Sequence, residues 1–112
     1  ERLSKILAHA DGFLYLVALL GVTGARGDLH PEALELISTV RSQTDLPVCV
    51  GFGISRPEHV RALSRAGADG AIVGSAIVNL IARNLQARGK LPRAVSRYVR
   101  TMKKQTLPAR RP

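Results

Sequence analysis

The chain has 112 residues, 46% of them apolar and 4% aromatic, which suits one small globular domain. Its net charge of +9 is confined to one end, because residues 1–82 carry seven Lys or Arg and eight Asp or Glu, whereas residues 83–112 carry ten Lys or Arg and no acid. The sequence contains no apolar run of transmembrane length and no signal-like start, so we expect a soluble cytoplasmic protein with no membrane partner.

The first half of the chain alternates between helical and strand patterns. Apolar residues at helical spacing predict a first helix that Gly12 closes, and the run over residues 13–18 predicts a strand. A glycine-bearing loop follows, and Pro31 then opens a second helix. The inner face of this second helix is predicted to consist of Leu34, Ile37 and Val40.

The middle of the chain has the pattern of a buried strand followed by a helix. Residues 48–50 are an uninterrupted apolar run, which predicts a strand covered on both faces. We expect Ser55 to be the N-cap of the next helix, with Glu58 completing a capping box. This helix is predicted over residues 57–66, with Gly67 as its C-cap.

The last part of the chain is predicted to hold one more strand and two more helices. The strand is GAIVG, residues 70–74, and a helix over about residues 75–85 follows, with three inward side chains: Ile77, Leu80 and Ile81. The terminal helix lies in residues 86–112 and carries an apolar stripe for docking on the core: Leu91, Ala94, Val95, Tyr98, Val99 and Met102. Cations fall mostly on its other side: Arg93, Arg97, Arg100, Lys103 and Lys104. We expect that side to be solvated, and contact with nucleic acid or an acidic surface is the less favoured alternative.

The alternation of strands and helices predicts right-handed βαβ crossovers and a parallel sheet. Three strands are few for such a sheet, and the chain starts inside a helical pattern without Met, so we expect the back part of a larger domain. The candidate folds are an open doubly wound sheet and a (β/α)8 barrel. Residues 1–85 are predicted to be three βα units, and residues 86–112 the basic terminal helix and tail of the same domain.

Each predicted strand ends in a glycine-bearing turn. These turns are GVTG at residues 21–24, GFG at residues 51–53 and GS at residues 74–75. Because parallel strands end at the same edge of a sheet, we expect the three turns to lie together. Their backbone N–H groups, with the start of a helix and the Ser75 hydroxyl, can bind an anion without Lys or Arg. A single turn of this kind would be better explained as a tight loop that binds no ligand. Three turns at one edge favour an anion site.

Other common ligand motifs are absent from the sequence. A dinucleotide fingerprint fails because Arg56 stands where G-x-G-x-x-G needs its last glycine, and no G-x-x-x-x-G-K-S/T occurs. His9, His30 and His59 lack ligand spacing, so we expect no metal site and interpret them as surface or capping residues. The single cysteine, Cys49, is interpreted as a core residue.

Carboxylates are scarce where general acid–base catalysis would need them. Asp11, Asp45 and Asp69 precede strands and are expected at the opposite edge of the sheet. Asp28 is the one carboxylate worth considering at the glycine-bearing edge, and helix capping is its favoured role. The sequence therefore predicts a binding site rather than a complete catalytic site.

Three segments in this order, FLYLVALLGVTGARG, LPVCVGFGIS and GADGAIVGSAIV, resemble the last three βα units of the tryptophan synthase alpha subunit family. The resemblance implies that the chain is the carboxyl-terminal part of a (β/α)8 barrel. It implies retro-aldol cleavage of indole-3-glycerol phosphate to indole and glyceraldehyde 3-phosphate in tryptophan biosynthesis. It also implies an α2β2 complex with a beta subunit that carries pyridoxal phosphate, and no cofactor in this chain.

The resemblance further implies roles for individual residues. It implies that the substrate phosphate is held by Gly24, Gly53, Gly74 and Ser75. It implies that Tyr15 and Phe52 line an indole pocket, and that GVTG is a mobile lid whose Thr23 closes over the site. The acid/base Glu of the family and its partner Asp have no counterpart here. No catalytic residue is therefore assigned in this chain, and the isolated chain is expected to be inactive.

Two alternatives stay open. One is another phosphate-binding barrel, such as a ribulose-phosphate or phosphoribosyl isomerase, although Thr23, Tyr15 and Phe52 suit a bulky indole better than a second phosphate. The other is a non-enzymatic half-barrel whose basic tail binds RNA or an acidic partner.

Overall fold

The computed structural model describes residues 2–17, 22–23, 28–29, 31–51 and 53–106. In chain order its elements are α1 (Arg2–Ala8), β1 (Leu14–Val17), β2 (Val22–Thr23), β3 (Asp28–Leu29), α2 (Pro31–Arg41), β4 (Val48–Gly51), α3 (Pro57–Ala66), β5 (Gly70–Ile72), α4 (Ser75–Arg83), a 3₁₀ helix (Leu85–Lys90) and α5 (Leu91–Lys103).

Three of the strands form a parallel sheet in the order β1-β4-β5, as the alternation of strands and helices predicted. Tyr15 pairs with Cys49, and Cys49 pairs in turn with Gly70, which fixes the register across the sheet. β2 and β3 form a separate antiparallel pair, in which Val22 lies opposite Leu29. Sequence analysis expected only a loop there, because strands of two residues are too short to show an alternating pattern.

One face of the parallel sheet carries the hydrophobic core. Val48 and Val50 are fully buried, and they belong to one cluster with Ile37 and Val40 of α2 and Leu63 of α3. Strand side chains alternate between faces, so every second residue of β4 points towards these helices. The predicted inner positions of α2 are confirmed at Ile37 and Val40.

The opposite face of the sheet is more exposed. Tyr15 is 52% exposed and Val17 is 45% exposed, and Cys49, on the same face, is half-buried. The prediction that residues 48–50 are covered on both faces is therefore wrong for Cys49, because the described helices pack against the face that holds Val48 and Val50. The thiol of Cys49 instead lies over Gly70, with Sγ 3.2 Å from where a Cβ would stand.

Helix α3 begins and ends where Pro57 and Gly67 predicted, but its first turn is capped differently. The N-cap is Arg56, and its N–H donates to Nδ1 of His59 at 3.2 Å. The predicted capping pair, Ser55 with Glu58, is therefore wrong, because a buried imidazole at the third helical position takes the role of the carboxylate. Gly67 adopts a left-handed conformation, with φ at 113°, which confirms the predicted C-cap.

Helix α4 packs on fewer neighbours than the sequence suggested. It ends at Arg83, and no residue of it is fully buried. Ile77 and Leu80 are half-buried, but Ile81 is exposed, so the prediction that Ile81 faces inward is wrong. The helix packs against α5 and the 3₁₀ helix, which cover only part of its apolar side.

Helix α5 docks through its apolar stripe, as predicted. Met102 is buried and Tyr98 packs against the core, whereas Val99 is largely exposed and lies at the margin of the stripe. All five predicted cations of the other side are exposed. Among the described residues, none of the helices combines the length and apolar character that crossing a bilayer requires.

Candidate functional site

A cavity of about 480 Å³ lies at the carboxyl ends of β4 and β5. Its described lining residues are Tyr15, Gly53, Ile54, Ser55, Ile72, Gly74, Ser75, Ala76 and Asn79. The turn after β4 supplies one wall, the start of α4 supplies the second, and β1 supplies the aromatic ring. Two of the three predicted glycine-bearing turns therefore meet at one cavity.

Four of the residues singled out by sequence share this cavity: Tyr15, Gly53, Gly74 and Ser75. Gly24 and Phe52 lie outside the described residues, and only the backbone of Thr23, in β2, is described. The structure thus brings together the described members of both predicted groups, the glycine turns and the aromatic residue of β1.

The backbone around Gly53 and Gly74 exposes donors to the cavity. Gly53 has a φ of 85°, a left-handed conformation that favours glycine over residues with a Cβ. Gly74 is the N-cap of α4, and its carbonyl accepts the N–H groups of Ile77 and Val78 at 2.9 and 3.1 Å. The earlier amides of the first turn have no acceptor within their own helix. They and the Ser75 hydroxyl lie at the cavity wall, with the positive end of the helix dipole behind them.

The described lining of the cavity is mixed, with apolar side chains and uncharged polar groups. Its side-chain donors are the hydroxyls of Tyr15, Ser55 and Ser75 and the amide of Asn79, with no Lys, Arg or carboxylate among them. Neutral donors of this kind can bind an anion. Asn79 was not among the residues predicted from the sequence; it lies four residues after Ser75 and so on the same face of α4.

Tyr15 of β1 lies diagonally opposite Gly51 of the adjacent strand β4, and its ring occupies the space that a side chain at residue 51 would need. A Cβ at residue 51 would stand 2.8 Å from both Cε1 and Oη of Tyr15. It would also stand 3.2 Å from Cβ of Ile72 on the neighbouring strand. Because Gly51 has no side chain, the Tyr15 ring can lie in its present position at the cavity wall.

The carboxylate of Asp69 lies at the end of the sheet opposite the cavity, where the strands begin. Asp69 precedes β5, and its Oδ2 accepts the N–H of Val48 at 2.9 Å while pairing with Arg41. The side chain of Asp28 is outside the described residues. Among those described, no group of three or more His, Cys, Asp or Glu could hold a metal ion.

The turn that lines the cavity is also bonded to the terminal helix. The Tyr98 hydroxyl donates to the carbonyl oxygen of Ser55 at 2.6 Å. Burial raises the pKa of Tyr98 above the ordinary value of 10.0, because the phenolate loses solvation. The hydroxyl therefore remains a donor through the neutral and mildly alkaline range.

This pKa shift predicts a loss of stability at high pH. The folded-state pKa of Tyr98 is raised, so its contribution is fully present below about pH 10 and is lost as pH rises through the folded value. The check is a phenolate absorbance titration of the Tyr15→Phe variant, in which Tyr98 is the remaining one of two tyrosines. Ionisation at or below the value of the urea-unfolded variant would contradict the prediction.

Comparison with known proteins finds one family. A family model described as tryptophan synthase alpha chain matches residues 1–107. The tryptophan synthase alpha chain of Methanoregula boonei is 56% identical over 104 residues, which cover 93% of this chain and 39% of the relative. That of Methanothermobacter thermautotrophicus is 50% identical over 103 residues, which cover 92% of this chain and 38% of the relative. The chain thus spans about two-fifths of the length of these curated relatives.

Solved structures give the same result. A structure described as the tryptophan synthase a2b2 complex from Pyrococcus furiosus matches with a TM-score of 0.77 and 36% identity, over 92% of this chain and 40% of that chain. Tryptophan synthase subunit alpha from Legionella pneumophila matches with a TM-score of 0.69 and 30% identity, over 94% of this chain and 37% of that chain. These neighbours are (β/α)8 barrels, so the prediction of a partial barrel is confirmed.

Proposed function

The chain belongs to the tryptophan synthase alpha chain family, and from this premise we propose that it carries the phosphate-binding half of an indole-3-glycerol phosphate lyase. The reaction is retro-aldol cleavage of indole-3-glycerol phosphate to indole and glyceraldehyde 3-phosphate. One observation carries the proposal: Gly53, Gly74, Ser75 and Tyr15 line one cavity of about 480 Å³, whose described lining residues carry no charge. Its walls combine the donors that a phosphate needs with an aromatic surface that an indole needs.

The phosphate end of the substrate is assigned to the two glycine turns. The amides of the first turn of α4 and the Ser75 hydroxyl donate to phosphate oxygens, and the helix dipole adds a favourable field. The turn at Gly53 approaches from the neighbouring strand, where the absence of a Cβ leaves the backbone accessible. Gly24 is assigned to the same phosphate through the family resemblance. No cation is needed, because charge-assisted N–H bonds hold a phosphate by themselves.

The indole end of the substrate is assigned to Tyr15 and, through the family resemblance, to Phe52. The ring of Tyr15 is about half exposed and lines the cavity, so it can contact a planar apolar ligand without rearrangement of the sheet. A second phosphate, as in a sugar-phosphate isomerase, would have to lie against the aromatic wall at Tyr15 rather than at a glycine turn. This arrangement favours an aromatic substrate over the isomerase alternative.

Cleavage itself needs a general acid and base, which the described lining of the cavity does not provide. We assign these groups to parts of the complete enzyme outside this chain, which spans 39% of the Methanoregula relative. In that enzyme the base takes the proton of the hydroxyl next to the ring, the bond between that carbon and the indole ring breaks, and the acid delivers a proton to the ring carbon, which leaves indole and an aldehyde. Thr23 belongs to the lid that excludes water during this step.

The proposed partner is a tryptophan synthase beta subunit. The Pyrococcus furiosus relative is described as an a2b2 complex, and 92% of the present chain aligns with it. We assign pyridoxal phosphate to that beta subunit and no cofactor to this chain. The indole released at the cavity would then be the product that the partner consumes.

Replacing Ser75 with alanine is expected to weaken the binding of inorganic phosphate and of glycerol 3-phosphate about fivefold, because one hydroxyl donor is lost. Isothermal titration of the full chain measures both dissociation constants. Ser96→Ala is the matched control, since Ser96 is exposed on α5 and does not line the cavity. Equal affinities for Ser75→Ala and the parent chain would place the phosphate elsewhere.

A further inference from the structure

The turn between β4 and α3 is held from outside the cavity that it lines. Gly53, Ile54 and Ser55 belong to the cavity wall. The N–H of Ser55 donates to Nδ1 of His59 at 3.1 Å, and the N–H of Arg56 donates to the same nitrogen at 3.2 Å. Two successive backbone amides are therefore satisfied by one imidazole nitrogen.

His59 is well placed for this task. It is 3% exposed, and it is the buried polar residue of the described core, next to Val60 and Leu63 in α3. Nδ1 can accept both N–H groups only while it carries a lone pair, so these contacts require the unprotonated nitrogen. The imidazole thus joins the turn to the first turn of α3, whose residues Val60 and Leu63 belong to the core.

Tyr98 holds the same turn from a different element. Its hydroxyl donates to the carbonyl of Ser55, which lies 43 residues earlier in the chain. Ser55 therefore has its N–H bonded to α3 and its C=O bonded to α5. No residue of α5 is among the described lining residues of the cavity, so α5 acts on the site through its neighbours: this bond to Ser55 and its packing against α4.

We propose that His59 and Tyr98 are positioning residues, which fix the direction of residues 53–56 and thereby the phosphate affinity of the Gly53 turn. The inference rests on the proposed function for its ligand, because it assumes that this turn contributes to phosphate binding. It assigns a role to the terminal helix: α5 stabilises the binding turn from behind, through one phenol hydroxyl. Pre-organised donors bind an anion more tightly than donors that must first be ordered.

The test compares variants that remove or keep the acceptor at the position of Nδ1. His59→Leu removes it, whereas His59→Asn places its amide oxygen near the same point. Tyr98→Phe removes only the hydroxyl. Two properties of the full chain are measured: hydrogen exchange of the Ser55 and Arg56 amides, and the dissociation constant for inorganic phosphate. His9→Leu is the control, because His9 is exposed on the turn after α1.

His59→Leu is expected to speed exchange of both amides about tenfold and to weaken phosphate binding about fivefold, while His59→Asn stays near the parent chain. Tyr98→Phe is expected to weaken phosphate binding about threefold with little change in melting temperature. If His59→Leu does not fold, the same measurements are made on His59→Gln. The glutamine amide reaches the position of Nε2 rather than that of Nδ1, so this variant also removes the acceptor.

Two outcomes would overturn the inference. One is faster amide exchange in His59→Leu with parental phosphate affinity in both His59→Leu and Tyr98→Phe, since the turn would then not control binding. The other is unchanged exchange in His59→Leu. If the parent chain itself binds no phosphate, the proposed function fails, and amide exchange alone decides whether His59 holds the turn.

Discussion

Replacing Gly51 with alanine is expected to weaken indole binding by about one to two orders of magnitude and to leave phosphate binding nearly unchanged. The new Cβ would stand 2.8 Å from Cε1 and Oη of Tyr15, closer than side-chain atoms pack. The Tyr15 ring is about half exposed and lines the cavity. We therefore expect the ring to move into the cavity, while the strands stay paired. The phosphate turn starts two residues later, at Gly53, and keeps its backbone.

The measurement is a pair of titrations of the full chain, one with indole and one with inorganic phosphate. Gly89→Ala is the control, because a Cβ at Gly89 meets nothing within 4 Å. The Tyr15→Leu change alone and together with Gly51→Ala completes a double-mutant cycle. We expect strong non-additivity, since the shorter side chain leaves room for the new methyl group. Additive effects on indole affinity would show that Gly51 acts through something other than the Tyr15 ring.

Helix boundaries were predictable because their signals are local. Pro31 and Pro57 open α2 and α3, and Gly67 ends α3 in a left-handed conformation, all as the sequence indicated. The cap of α3 was not predictable in the same way. A consensus search favours Ser55, whereas the structure uses His59, whose role depends on the imidazole being buried against the core.

The residues of the candidate site were predictable to the extent that they follow strands directly. Gly53, Gly74 and Ser75 follow a strand within three residues, so a parallel sheet brings them to one edge. The contact between Gly51 and Tyr15 depends on strand register, which becomes known only when β1 and β4 are paired. The hydrogen bond from Tyr98 to the turn was even harder to predict from the sequence. It joins positions 43 residues apart, through a hydroxyl on an otherwise apolar stripe.

Replacing Asp69 with alanine is expected to lower the free energy of unfolding by about 2–3 kcal/mol. Asp69 pairs with Arg41 and accepts the N–H of Val48 at 2.9 Å. Arg41 in turn donates to the carbonyls of Thr44 and Leu46, each at 2.7 Å. The carboxylate thus joins the end of α2, the following loop and the starts of β4 and β5. Its removal leaves a part-buried amide without this acceptor and a guanidinium without this counter-ion.

Urea unfolding at neutral pH measures the effect, with Asp11→Ala as the control, since Asp11 is exposed and accepts the N–H of its neighbour Gly12. Asp69→Asn is expected to cost about 1 kcal/mol, because it keeps an acceptor for Val48 and loses the charge. Both side chains of the ion pair are partly exposed, so salt should reduce the difference between Asp69→Asn and the parent chain. An Asp69→Ala variant as stable as Asp11→Ala would show that the Arg41–Asp69 pair does not hold the strand starts together.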